Sequence, residues 1–135
     1  MLTDWGAKLG SCGTPLAAAA RYAPVYAYEI AQDDGQSIGN FPMGAAHGAE
    51  LPYLFDGSFA GPRTAPPSPA HFALPHTLIS YWTSFAKTGN PNSDGSPAWP
   101  AYRAATPLPS LSTDGTRQVD FEAEHHCSFW QTVSR

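Results

Sequence analysis

Gly44-Ala45-Ala46-His47-Gly48-Ala49-Glu50-Leu51-Pro52-Tyr53-Leu54-Phe55 is the stretch from which the rest of the chain is read. A histidine set between alanine and glycine is free to turn toward a pocket, and imidazole, whose unperturbed pKa lies nearest working pH, is the usual proton shuttle for a nucleophilic hydroxyl. Glu50 follows three residues later, close enough to share a hydrogen-bond network with His47, and Leu51 to Phe55 form an apolar anchor that holds such a loop against a core. The same residues also suit an ordinary loop histidine followed by a piece of core. Physical features alone leave both readings open.

Working outward, the chain has 135 residues, 42% of them hydrophobic and 13% aromatic, which is a globular balance and enough for one small domain. Its 14 Pro and 12 Gly, with only 13% charged residues, imply much loop and little regular structure, as in a partial domain spanning 1–135. A net charge of -4, with Lys and Arg scattered singly, supplies no basic field for phosphate backbones and argues against a nucleic-acid partner. No apolar run is long enough for a membrane span, and Met1-Leu2-Thr3-Asp4 lacks the start of a secretory signal.

Thr14 before Pro15 reads as a cap and first helical position, and the alanine run after it predicts a helix over 15–22. Pro24 bars its continuation. Val25 to Ile30, an unbroken apolar and aromatic run, predicts a strand buried on both faces, as in a parallel α/β sheet. Gly61 to Pro69 is a Pro-rich excursion without helix or strand signals. Leu74, Leu78, Tyr81, Trp82 and Phe85 recur at helical spacing, so a helix is expected over about 75–87, with Pro75 in its first turn and Gly89 past its end. Its apolar stripe is wide enough to need a partner surface, and Tyr81, Trp82 and Phe85 read as core. Asn90-Pro91-Asn92 and Asp94-Gly95 are turns. Asp114-Gly115 between Ser110-Leu111-Ser112 and Gln118 to Phe121 predicts a hairpin with a type I′ turn. Asp120 then caps a helix running to about Val133, with Glu122 and Glu124 in its first turn.

The His47 segment resembles the region around the catalytic histidine of the type-B carboxylesterases, the family of the cholinesterases and p-nitrobenzyl esterases. Three further motifs resemble the same family in order. Pro24-Val25-Tyr26-Ala27-Tyr28-Glu29 resembles the strand before the histidine. Tyr81-Trp82-Thr83-Ser84-Phe85-Ala86-Lys87-Thr88-Gly89-Asn90-Pro91-Asn92 with Trp99-Pro100-Ala101-Tyr102 resembles its downstream helix, turn and W-P-x-Y signature. Cys127-Ser128-Phe129-Trp130 resembles its closing C-x-F-W. The resemblance reaches only the C-terminal part of the family's domain. It implies an α/β class, the C-terminal portion of an α/β-hydrolase fold with an incomplete sheet.

In that family the serine sits on a G-x-S-x-G elbow between strand and helix, the acid follows and the histidine comes last. The resemblance therefore makes His47 the catalytic histidine and Glu50 a supporting glutamate that holds its loop by hydrogen bonds. The serine, acid and oxyanion-hole glycines belong upstream of Met1. The resemblance also implies a small carboxylic ester as substrate of the complete enzyme, and no cofactor. Gly35-Gln36-Ser37-Ile38-Gly39 matches the elbow literally, but Asn40-Phe41-Pro42 follows where a helix must begin, and no acidic residue lies between Ser37 and His47. Ser37 is thus the nucleophile candidate that its context argues against. A chain with one of three triad members is expected to be inactive alone and to expose apolar surface. The alternative is a non-catalytic, cholinesterase-like interaction module or a truncated gene product.

The resemblance further implies a bond between Cys12 and Cys127, the only two cysteines, although the Gly10-Ser11-Cys12 insertion shifts the spacing. Two buried thiols are the other reading. The bond would mean a secreted or extracytoplasmic location, and free thiols a cytoplasmic one. His125-His126-Cys127 invites a zinc reading, but adjacent helical positions point about 100° apart, and His71 and His76 lie five apart without a second ligand pair. No metal is expected.

Overall fold

Ten short elements follow one another in the computed structural model, which describes Cys12 and residues 14–33, 35, 37–48, 50–55, 69–103 and 106–133. In chain order they are α1 (Thr14–Ala19), β1 (Glu29–Ile30), β2 (Ser37–Ile38), β3 (Phe41–Pro42), α2 (Leu51–Leu54), α3 (Pro69–Thr88), β4 (Leu108–Ser112), β5 (Gly115–Val119), α4 (Phe121–Glu124) and α5 (Cys127–Thr132). β1, β4 and β5 form one sheet in that order, and β2 and β3 a separate two-stranded ribbon. Two compact units result. One comprises Met1–Glu29, Pro100–Pro109 and Gln118–Arg135; the other comprises Ile30–Trp99 and Ser110–Arg117. The Pro-rich excursion from Gly61 lies outside the described residues up to its last position.

In the unit containing Ile30–Trp99, α3 is the organising element. Leu74, Leu78 and Tyr81 are buried along one side of it, as their spacing predicts. The helix starts six residues before Pro75, however, so Pro75 stands in its interior instead of its first turn. An interior proline removes one helical hydrogen bond at a cost of roughly 3 kcal/mol, which the buried stripe offsets. Gly89 ends the helix as expected, with φ +74 and its N–H donating to the Phe85 carbonyl at 2.8 Å. Of the three aromatic residues read as core, only Tyr81 is buried. Trp82 and Phe85 are 42% and 48% exposed.

The loop after α3 is pinned back onto the helix. Tyr81 donates its hydroxyl to the Pro97 carbonyl at 2.7 Å, and its ring meets Trp99 edge-on with centroids 4.9 Å apart. Asn92 holds both sides of Trp99, its Oδ1 accepting from the Trp99 N–H at 2.7 Å and its Nδ2 donating to the Trp99 carbonyl at 2.8 Å. The hydroxyls of Ser80, Ser93 and Ser96 lie 3.0 to 3.3 Å from one another. The downstream motif is thus a packing device. Burial holds the Tyr81 phenol above its usual pKa, against the opposite effect of a hydrogen bond with Thr116.

The strand predicted over 25–30 shortens to Glu29–Ile30 and is half-buried instead of covered on both faces. β1 lies at the edge of its sheet, paired on one side only. The chain just after it is tied to the hairpin: Ala31 donates to the Leu111 carbonyl at 2.9 Å, and Gln32 Oε1 accepts from the Thr113 N–H at 2.8 Å.

The hairpin β4–β5 forms where the sequence predicts it, one residue out of the expected register. Thr113 and Asp114 occupy the turn and Gly115, at φ +120, follows it. A type I′ turn needs two residues with positive φ, and His126 is the one non-glycine residue described with that sign. Helix α1 likewise stops at Ala19, its last turn loosening into bonds from Arg21 to Ala18 and Tyr22 to Ala19.

In the other unit Asp120 caps α4 as predicted, its Oδ1 accepting from the Ala123 N–H at 3.1 Å. The expected single C-terminal helix does not form. His126 takes φ +51, ψ +40, and α5 starts afresh at Cys127. This redirection accompanies a disulfide between Cys12 and Cys127, with Cα atoms 5.3 Å apart and Phe121 packed against it. His125 stacks on Phe121 with ring centroids 4.3 Å apart, and its Nε2 lies 2.8 Å from Glu29 Oε2. Burial, reinforced by the nearby negative charge of Glu122, raises the Tyr102 pKa.

Candidate active site

Two tight turns hold His47 out from the chain. Gly44 has φ +59, and the Ala46 N–H donates back to its carbonyl at 2.9 Å; Gly48 has φ +85, and its carbonyl accepts from the Leu51 N–H at 3.1 Å. Both glycines occupy backbone conformations that side-chain-bearing residues avoid, so the small residues flanking the histidine are a geometric requirement of the loop. Between these turns the His47 side chain is exposed.

The anchor predicted over Leu51 to Phe55 is the short helix α2. Pro52 stands in its first turn, Tyr53 is buried, and α2 packs against α3. Glu50 occupies the N-cap position, and its side chain makes no cap hydrogen bond. It serves the loop through its backbone carbonyl, which accepts from Tyr53 at 2.9 Å and Leu54 at 3.2 Å. Among the described residues no hydrogen bond joins His47 to Glu50.

Ser37 lies in β2, paired antiparallel with β3 so that Ser37 faces Pro42 and Ile38 faces Phe41. Gly39, at φ +59, turns the chain into β3, and no helix follows Ser37. Nucleophile elbows pass from strand directly into helix, so this ribbon does not present its hydroxyl as an elbow does. The zinc reading meets a structural obstacle as well. His125 and Cys127 stand on either side of a helix break, Cys127 is bonded to Cys12, and His125 contacts Glu29. His76 is exposed, and the side chain of His71 lies outside the description. A cleft of about 210 Å³ is lined among the described residues by Leu16, Tyr26, Ala27, Tyr28, Leu108 and Phe121, none of which is a histidine, serine or cysteine. Among the described residues no helix is long and apolar enough to cross a membrane.

The Glu29–His125 contact had no sequence signal, since 96 positions separate the pair. The turns around His47, by contrast, are foreshadowed by Gly44 and Gly48.

The family model for the carboxylesterase family matches residues 1–130. The chain belongs to that family. Among its carboxylesterase relatives, cocaine esterase of Homo sapiens is 38% identical over 111 residues, covering 81% of this chain and 20% of that protein. Carboxylesterase 4A of Bos taurus is 32% identical, over 82% of this chain and 20% of its own length. Acetylcholinesterase of Bungarus fasciatus is 30% identical, over 83% and 19%. Two solved carboxylesterase structures are similar in fold. A PNB esterase gives a TM-score of 0.62 at 30% identity, covering 82% of this chain and 23% of that one. A Geobacillus stearothermophilus carboxylesterase gives 0.63 at 27% identity, with 86% and 24%. The elements described above are therefore part of an α/β-hydrolase fold, with a few strands in an incomplete sheet. This carboxylesterase chain spans about a fifth of the length of the curated relatives it matches.

Proposed function

We propose that this chain supplies the general base of a serine carboxylic-ester hydrolase, with His47 as the triad histidine and the serine, acid and oxyanion hole carried by chain outside these 135 residues. The observation that carries the reading is the presentation of an exposed imidazole between two positive-φ glycines, on a loop followed by α2, which packs against α3. Relatives named as esterases support an ester substrate.

In the complete enzyme His47 takes the proton of the serine hydroxyl as that oxygen attacks the ester carbonyl, then returns it to the departing alkoxide. It next draws a proton from water, whose oxygen attacks the acyl-enzyme, and gives that proton to the departing serine oxygen as the acid is released. Glu50 holds the base in place through its carbonyl bonds to α2, and its carboxylate is not the triad acid. The chain alone, with Ser37 on a ribbon, does not complete a triad, and the members of such a unit act together.

The test has two arms. The purified chain is assayed with p-nitrophenyl acetate and butyrate beside Ser37→Ala, and saturable turnover lost in that variant would overturn the reading. An enzyme completed with the upstream part of a homologous esterase is then compared with its His47→Gln variant. Turnover should fall by at least about 10²-fold, the lower range for a lost general base. Activity within twofold of the parent would refute the assignment.

A further inference from the structure

Four Asp-Gly pairs stand in the chain: Asp34-Gly35, Asp56-Gly57, Asp94-Gly95 and Asp114-Gly115. A glycine after an aspartate leaves the next main-chain nitrogen unhindered, so that nitrogen can close a five-membered ring on the side-chain carboxyl. In a folded chain the ring closes only where both groups are uncommitted and the backbone can turn to bring them together. The structure separates the pairs on these grounds. Gly35 donates its N–H to Asp33 Oδ1 at 2.7 Å, so its nitrogen is held. Gly115 is the first residue of β5, which pairs with β4, and the Asp114 N–H donates to Ser112 Oγ at 3.2 Å. Turning the backbone there would break into the hairpin. Asp34 and Asp56-Gly57 lie outside the described residues. Asp94-Gly95 is different. Both residues are exposed at the centre of the Ser93–Ser96 turn, which a single hydrogen bond closes, from the Ser96 N–H to the Ser93 carbonyl at 3.2 Å. Among the described residues neither the Asp94 carboxylate nor the Gly95 N–H has a hydrogen-bond partner. Gly95 holds φ +81, and a Cβ built on it would meet nothing within 4 Å, so the ring and an entering water have room. The neighbouring Asn92 is not open to the same chemistry, because its amide is held by Asn90 and by both sides of Trp99.

We infer that Asp94 is a site of spontaneous isomerisation to isoaspartate, which the fold favours there over Asp114. The Gly95 nitrogen attacks Asp94 Cγ. The N–Cγ bond forms, the Cγ–OH bond breaks, and the hydroxyl leaves as water with the proton that the nitrogen gives up. Water then adds to the succinimide ring. Opening at Cγ restores aspartate, whereas opening at the main-chain carbonyl leaves Gly95 joined through Cγ and frees the former main-chain carbonyl carbon as a carboxylate. One water leaves, one returns, and nothing is oxidised. The extra methylene enters the main chain between Ser93 and Ser96, whose hydroxyls lie 3.1 Å from each other and 3.0 and 3.3 Å from that of Ser80 on α3. Isomerisation therefore strikes the turn that fastens this loop to the helix. The isoaspartyl carboxylate it leaves is a substrate for methyl transfer from S-adenosylmethionine.

The experiment ages the purified 135-residue chain at neutral pH beside a guanidinium-denatured sample. Peptides from both are mapped by electron-transfer mass spectrometry, which tells isoaspartyl from aspartyl peptides of equal mass. In the folded chain isoaspartate is expected to form at Asp94 at least about fivefold faster than at Asp114, the ratio that one further hydrogen bond to open would set. In the denatured chain the two positions should react at similar rates, so that the selectivity belongs to the fold. Protein isoaspartyl methyltransferase with labelled S-adenosylmethionine should mark the peptide carrying position 94. Asp94→Glu, whose longer side chain would have to close a six-membered ring, should lose that mark, and circular dichroism before ageing checks that the variant is folded. Equal rates at Asp94 and Asp114 in the folded chain would overturn the inference. So would an Asp94 that stays unchanged in the folded chain while the denatured chain isomerises there.

Discussion

Glu29 Oε2 and His125 Nε2 lie 2.8 Å apart although 96 positions separate them, and both side chains are largely shielded from water. The contact ties β1 to the last residue before the helix break, beside the ring of Phe121.

Removing either partner should therefore destabilise the chain by about 1–3 kcal/mol, since a hydrogen bond between two largely shielded side chains is lost. Urea unfolding of Glu29→Ala, His125→Ala and the double variant measures this, and the cycle should return a coupling of at least about 0.5 kcal/mol. Strict additivity would mean that the pair contributes nothing to stability.

Gly48 holds φ +85, and a Cβ there would meet Leu51 Cδ1 at an ordinary 3.6 Å, so the obstacle is the backbone and not space. Gly48→Ala should cost about 1–2 kcal/mol. In a completed enzyme it should lower ester turnover further than its stability loss explains, because it reorients His47. A variant with the parent's turnover and stability would contradict the described loop.

The Cys12–Cys127 bond spans 115 positions, and closing a loop of that size is worth about 4 to 5 kcal/mol in the chain-entropy description. Protein made under oxidising conditions should titrate with no free thiols when denatured without reductant. Reduction should shift the urea midpoint downward by a corresponding amount. Two titratable thiols would refute the pairing.

Ser110 is buried in β4, and among the described residues its Oγ has no hydrogen-bond partner. Burying a hydroxyl unpaired costs stability, so Ser110→Ala should be neutral or stabilising by up to about 1 kcal/mol. A loss above about 1 kcal/mol in urea unfolding would show that the hydroxyl is satisfied.

Burial raises the phenol pKa of Tyr81 and of Tyr102 above the usual value of 10.0. Above that pH the unfolded chain loses these protons while the folded chain keeps them, so the folded state binds more protons and stability falls as pH rises. Absorbance titration should show the Tyr81 and Tyr102 phenols ionising late, together with unfolding. Six phenols titrating alike near pH 10 in the folded state would refute the burial.

What the sequence determined by itself is local. The capping oxygen of Asp120, the terminating Gly89 and the turn around Asp114-Gly115 act over three or four residues and reappear in the structure. The carboxylesterase motifs, including the His47 loop with its glycines, are likewise short runs. Tertiary structure decided everything set by distant neighbours. Packing of Leu74, Leu78 and Tyr81 carries α3 back through Pro75 to Pro69, and one-sided pairing shortens β1 to two residues. The left-handed His126 breaks the last helix where Cys127 meets Cys12. Trp82 and Phe85 share the apolar character of Tyr81, yet only Tyr81 is fully buried. Propensity and capping are properties of neighbouring residues, while burial and pairing depend on what the fold brings together from positions scores of residues apart.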